Sequence, residues 1–122
     1  MTVGFREVAN ALHGAHLDRY HIDLASGRFE LTASAPEGGK PPLTIIFEDI
    51  TAFRWRSEST LGSLLQVEVV GLERLGPGEP WRLYLSPRKG SELELTCGAI
   101  LRDGVEVAGV GRIFRDGTAK PA

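Results

Sequence analysis

Residues 81–97, with the sequence WRLYLSPRKGSELELTC, indicate the fold class. Apolar and polar residues alternate on both sides of a break at residues 87–91. A period of two is that of a β-strand with one buried face. The pattern therefore predicts two half-buried strands, whose inward positions are Trp81, Leu83, Leu85, Leu93, Leu95 and Cys97.

The same alternation recurs on both sides of this stretch. It predicts strands near residues 20–24, 29–33, 43–47 and 65–69, the last ending near Gly71. Leu17 has the opposite parity, which indicates a bulge. Turn residues separate the strands at 25–28, and Asp103-Gly104 is typical of a tight hairpin. Loops are expected at 36–42, 57–63 and 76–80, and the tail after Gly117 is expected to fray. Residues 51–56 fit either a strand or a helical turn.

A short helix is predicted at the N-terminus, because Phe5, Val8 and Leu12 recur with a period near 3.6 and Gly14 suits its end. We therefore predict one mainly β (α+β) domain over residues 1–122, an antiparallel sandwich or partly closed barrel of about eight short strands with one N-terminal helix. Glu30, Glu68, Arg82 and Glu94 are expected at the surface. The predicted core is Tyr20, Ile22, Leu24, Phe29, Leu31, Ile45, Phe47, Val67, Leu83, Leu85, Leu93 and Leu95.

Composition narrows the class of protein. Apolar residues make up 42% of the 122 residues and the formal net charge is −2, without a basic block, so no nucleic-acid partner is expected. No apolar run reaches the ~20 residues that cross a bilayer, and none resembles a signal peptide, so we expect a cytoplasmic protein without a membrane partner. The 11 arginines against 3 lysines suggest a GC-rich bacterial genome.

Neither a metal site nor a cofactor is expected. His13, His16 and His21 lie close together in sequence with Asp18 and Asp23, but regular geometry does not make them converge. We interpret them as surface and helix-end residues.

Catalytic groups are also not expected. Cys97 is on the inward parity of a strand, which indicates a buried and inert thiol. The sequence has no Gly-x-Ser-x-Gly motif, and Gly109-Val110-Gly111 lacks the third glycine of a dinucleotide loop. Glu92, Glu94 and Glu106 could form a carboxylate cluster across a hairpin, although solvated strand residues are the simpler interpretation.

The main binding candidate is Phe53-Arg54-Trp55-Arg56. Arginine and tryptophan are enriched where proteins contact one another. The simpler alternative is that Phe53 and Trp55 belong to the core while Arg54 and Arg56 face water. The prediction depends on whether these aromatic side chains are exposed.

Residues 12–55 resemble a bacterial protein family. Leu12-His13-Gly14-Ala15-His16-Leu17, and then LTIIFEDI at 43–50 after a proline-rich loop, are similar to small immunity-type proteins encoded beside polymorphic toxins, including the YxiG-like group. Gly14 stands where that group has an aspartate. The resemblance implies a non-enzymatic protein that binds and blocks a toxin.

The sequence thus favours a non-catalytic interaction module with a protein partner or a second copy as a homodimer. Two alternatives remain. One is a small-molecule-binding β-barrel with a cavity lined by Tyr20, Phe29, Phe47 and Trp81. The other is a small hydrolase or isomerase that uses His21, Asp23 or glutamates in such a cavity.

Overall fold

The computed structural model describes residues 3–34, 42–57, 65–88 and 91–116, which contain one helix and twelve strands. The helix α1 is Phe5–Leu12. The strands are β1 Val3–Gly4, β2 His16–Asp23, β3 Arg28–Ser34, β4 Leu43–Glu48, β5 Ala52–Ser57, β6 Leu65–Gln66, β7 Val69–Arg74, β8 Trp81–Arg88, β9 Ser91–Cys97, β10 Ala99–Arg102, β11 Val105–Ala108 and β12 Gly111–Asp116.

The strands form two sheets. The first has seven strands in the order β1-β11-β10-β4-β3-β2-β6, and the second has five in the order β12-β7-β8-β9-β5. All neighbours are antiparallel except β1 and β11. The mainly β fold is confirmed, and of the two predicted architectures it is the sandwich.

The core lies between the sheets and follows the predicted parity. Nine of the twelve predicted core residues are almost completely buried: Phe29, Leu31, Ile45, Phe47, Val67, Leu83, Leu85, Leu93 and Leu95. Their polar neighbours Glu68, Arg82 and Glu94 are exposed, while Glu30 is half-buried. Alternation predicts burial well here because both walls of the sandwich bury one face only.

Two residues of the predicted core were placed wrongly, and a third, Ile22, packs against the core without being fully buried. Tyr20 is 56% exposed, Leu24 is 77% exposed and Ile22 is only half-buried. Leu24 lies in the turn after β2. Tyr20 and Ile22 share the inward face of β2, but β2 stands at the flank of the first sheet, where it pairs with β6 only at His16 and Leu17. Their face therefore meets an opening between the sheets.

Two crossings connect the sheets at one end of the sandwich. The antiparallel pair β4–β10 of the first sheet continues as the pair β5–β9 of the second. At the bend, Gly98 donates its N–H to the carbonyl oxygens of Glu48 at 3.0 Å and Asp49 at 3.1 Å. A Cβ on Gly98 would lie 3.0 Å from the Asp49 Cβ, so the close crossing favours glycine there.

A third crossing corrects the predicted strand 65–69. The chain pairs with β2 through β6, leaves the first sheet at Val67, and joins the second sheet as β7. Val67 is buried, accepts a hydrogen bond from the Gly14 N–H and donates one to the Ala15 carbonyl, both at 2.8 Å. The alternating residues 65–69 thus belong to two strands, because β6 pairs with the first sheet and β7 with the second.

Helix α1 confirms the N-terminal prediction and covers one side of the sandwich. Phe5, Val8, Ala9 and Leu12 are its buried residues, and it contacts β7, β11 and β12. Gly14 follows the helix with a φ of +82°. The predicted hairpin turn at Asp103-Gly104 joins β10 to β11, and both residues have positive φ.

Some predictions fall on other parts of the chain. The loops at 36–41 and 58–63 and the tail from Gly117 lie outside the described residues. Within the described ranges, the one helix has eight residues, far fewer than a helix needs to cross a bilayer.

Candidate binding cleft

The ambiguous segment around Phe53 is a strand, and β5 forms one edge of the second sheet. Phe53 and Trp55 point inward, whereas Arg54 and Arg56 lie on the outer face, as strand alternation requires. Phe53 is half-buried, with its ring edge-on to Phe29 at a centroid distance of 5.4 Å. Trp55 is 39% exposed. The structure therefore makes Phe53 part of the core boundary and leaves Trp55 accessible.

An apolar cleft opens between the sheets beside β5. The first sheet supplies one wall with Leu17, Tyr20, Ile22, Phe29 and Leu31. The second sheet supplies the other with Phe53, Trp55, Leu85 and Leu93. The cavity volume is about 200 Å³. Every described residue of the lining is aliphatic or aromatic, so the cleft is a gap in the core that reaches the surface.

The two ends of the cleft are fixed by backbone hydrogen bonds. At one end, the Ile50 N–H donates to the Gly27 carbonyl at 3.0 Å and ties the β2–β3 turn to the start of β5. At the other end, β6 pairs with β2 and leads into the buried Val67. Between these ties, β2 and β5 form the two lips.

The outer face of β5 carries ion pairs with β9. The Arg56 guanidinium lies 2.7 Å from a Glu92 oxygen, and Arg54 lies 3.9 Å from Glu94. Tyr84 donates its hydroxyl to the other Glu92 oxygen at 2.8 Å. This hydrogen bond, helped by Arg56, holds the pKa of Glu92 below its usual range. Burial, and then Glu92, raise the pKa of Tyr84. The two arginines are the outermost charges of this sheet edge.

The remaining candidate residues do not assemble into a site. Cys97 is fully buried, and desolvation raises the pKa of its thiol to about 12, which agrees with the predicted inert cysteine. Within the described ranges, no three His, Cys, Asp or Glu side chains come together as metal ligands. Glu106 lies on β11 of the first sheet, apart from Glu92 and Glu94 on β9, so the three glutamates do not form a cluster.

The glycine pair after β11 has a structural explanation. Gly109 and Gly111 flank the crossing from β11 in the first sheet to β12 in the second, with φ of +119° and +138°. A Cβ on Gly109 would lie 2.6 Å from Cδ1 of the Phe5 ring. The glycines make room for helix α1 instead of forming a phosphate loop.

Two of the four residues that were predicted to line a cavity line this cleft. Tyr20 and Phe29 line the cleft, but Phe47 and Trp81 are fully buried and lie outside its described lining. Sequence reasoning assigned Ile22, Leu31, Leu85 and Leu93 to a filled core. An alternating pattern has no signal that separates a residue facing a filled core from one facing a cleft.

Comparisons with protein-family models, with curated proteins and with solved structures find no match for this chain.

Proposed function

We propose that this protein is a non-catalytic interaction module that binds another polypeptide along the β5 edge. The observation that carries the proposal is the edge itself. Strand β5 spans six residues, pairs only with β9 among the described strands, and presents the accessible Trp55 beside an apolar cleft. An unpaired strand edge is a template for a strand of another chain.

The opposite edge of the second sheet is less open. There, β12 contacts helix α1, and the Arg115 Nε donates to the Asn10 side chain at 2.9 Å. A strand added to β5 would place its alternate side chains on two faces. Those on the inner face would meet Phe53 and Trp55, and those on the outer face would meet Arg54 and Arg56.

Charge favours a different chain over a second copy. Two antiparallel β5 strands whose outer faces lie on the same side can overlap over most of their length in two registers. One register sets Arg54 opposite Arg54 of the copy, and the other sets Arg54 opposite Arg56. Like charges directly opposite each other destabilise a sheet. A partner strand with carboxylates at alternate positions instead would extend the Glu–Arg pairing that β9 and β5 already show. The preferred partner is therefore an extended segment with alternating acidic and apolar residues.

We also propose that this partner is a toxin inside a bacterial cytoplasm, as the resemblance noted for the sequence of residues 12–55 implies. The cleft supports a binding role over a catalytic one. Apart from the Tyr20 hydroxyl, its described lining contains no side chain of the types that usually transfer a proton or attack a substrate: no histidine, carboxylate, cysteine, lysine or arginine. His21 and Asp23 are exposed on the lip β2.

The experiment compares two eight-residue peptides, one alternating glutamate and valine and the other lysine and valine. We expect the acidic peptide alone to bind, with an affinity that falls as salt rises. The variant R54E/R56E should reverse the preference, and R112E on the distant strand β12 should not change it. Trp55→Ala should weaken binding of the acidic peptide.

Sedimentation at micromolar concentration tests the homodimer. A monomer that binds neither peptide would contradict the proposed function. A dimer that Trp55→Ala dissociates would support association through β5 and would refute the charge argument for a different partner.

A further inference from the structure

We propose that the cleft between β2 and β5 is a binding site for a small, neutral aromatic molecule. The inference rests on the shape and chemistry of the cleft, which shares Phe53 and Trp55 with the proposed β5 docking edge but needs no protein partner there.

The volume of the cleft sets the size of the ligand. Well-packed cores contain few voids larger than a water molecule, whereas the cleft between β2 and β5 has a volume of about 200 Å³. An apolar cavity of roughly 150 Å³ stays dry and accepts benzene, so this cleft suits a molecule of about eight to ten non-hydrogen atoms. Apolar atoms that fill the cleft would supply van der Waals contacts that its lining otherwise lacks.

The charge of the lining sets the class of the ligand. No described lining residue carries a charge, and transfer of an ion into such surroundings is strongly unfavourable. The only side-chain hydrogen-bonding groups of the described lining are the Tyr20 hydroxyl and the Trp55 indole N–H. These two residues are also its most exposed members. The ligand is therefore neutral and mostly apolar.

Aromatic side chains favour a planar ligand. The Phe29 ring is the centre of a cluster in which Tyr20 lies 6.4 Å and Phe53 5.4 Å away between centroids. Rings at such distances interact edge-to-face or offset, and an inserted aromatic molecule can make the same contacts. Trp55 lies on the opposite lip and extends the aromatic surface to the mouth.

The probe is indole, titrated into the ¹⁵N-labelled protein and followed by NMR. The chain has two tryptophans, which report on different places. The Trp55 indole N–H is at the cleft, whereas Trp81 is fully buried in the core. We expect a saturable shift of the Trp55 signal while the Trp81 signal stays in place. Benzoate, an anion of similar size, should bind at least about tenfold more weakly because its charge resists desolvation.

Two variants fill the cleft from different sides. Leu93→Phe acts from the second sheet and Ile22→Phe from the lip β2, so one can serve if the other fails to fold. Each should weaken indole binding at least about tenfold, since the ligand and the new ring need the same space. Leu75→Phe, at an exposed position outside the described lining, should leave binding unchanged.

A comparison on one strand tests the cavity itself. Leu93 and Leu95 are on the same face of β9, and only Leu93 lines the cleft. Leu95→Phe should lower the melting temperature more than Leu93→Phe. The inference is overturned if millimolar indole leaves the Trp55 signal in place, if folded filling variants bind indole as well as the parent, or if benzoate binds equally.

Discussion

Substitution of Gly109 by alanine should destabilise the protein through one contact with helix α1. The added Cβ would lie 2.6 Å from Cδ1 and 3.1 Å from Cε1 of the Phe5 ring. That ring is almost completely buried, lies 5.9 Å from Trp81 between centroids, and has the Arg6 guanidinium 5.0 Å from its centre. It has little freedom to move away.

Two costs add at Gly109. Its φ of +119° is unfavourable for an L-residue, which costs about 1–3 kcal/mol. Displacement of a packed ring costs about 1–3 kcal/mol more, as overpacking does in other cores. The sum of about 2–6 kcal/mol is a large share of the about 5–15 kcal/mol that stabilises an ordinary domain. At roughly 4 °C per kcal/mol for a domain of this size, we expect the melting temperature to fall by about 8–24 °C.

The assay is urea denaturation followed by circular dichroism, with free energies of unfolding from linear extrapolation. Gly78→Ala is the matched control, because Gly78 also has a positive φ, +80°, but has no atom within 4 Å of an added Cβ. It should lose only about 1 kcal/mol. Phe5→Leu should reduce the cost of Gly109→Ala. Equal losses for Gly109→Ala and Gly78→Ala would refute the argument from the Phe5 contact.

Three other predictions concern the core, the thiol and the outer face of the second sheet. Trp81→Ala should lower the free energy of unfolding by about 3–5 kcal/mol and Trp55→Ala by only about 1 kcal/mol, because Trp81 is fully buried and Trp55 is 39% exposed. Similar losses for the two variants in urea titrations would contradict this prediction. Cys97 should react with a thiol reagent at pH 8 roughly a thousandfold more slowly in the folded protein than in the unfolded chain, because burial raises the pKa of its thiol to about 12. Rapid labelling of the native protein would disprove this prediction. Tyr84→Phe should raise the pKa of Glu92 toward its ordinary value in an NMR titration, because the hydroxyl is the main cause of its lowering. In the parent, ionised Glu92 therefore stabilises the folded state at neutral pH, and this stabilisation is lost as the pH falls through the lowered pKa. An unchanged titration of Glu92 in the Tyr84→Phe variant would refute the assignment.

The candidate site could be predicted only in part. Aromatic and arginine residues in one short run directed attention to Phe53-Arg54-Trp55-Arg56, and the structure places them on an edge strand at the mouth of a cleft. Whether Phe53 and Trp55 were core or surface was left open by the sequence. The two residues differ: Phe53 contacts Phe29 of the first sheet at the boundary of the core, whereas Trp55 lies farther along β5 and is partly exposed.

Local structure and most of the inward faces could be predicted from the order of residues. A period of two in 29–33, 43–47 and 81–97 was enough to predict strands and to identify their buried side, since each strand of a sandwich hides one face from water. The period near 3.6 at Phe5, Val8 and Leu12 identified the helix, and Asp103-Gly104 identified a hairpin because few residues other than glycine, asparagine and aspartate adopt positive φ readily.

The sheet that each strand joins, and the place where the core is left open, depend on long-range pairing and could not be predicted. The run around Val67 divides between two sheets, and β5 leaves the sheet to which β4 belongs. Strand partners are chosen by hydrogen bonds between residues far apart in sequence, which local alternation does not record. Tyr20 and Ile22 have the pattern of core residues, yet they line a cleft because the strand that would cover them is absent from that flank among the described residues. Alternation specifies that a face turns inward; what lies opposite that face is a property of the assembled sheets.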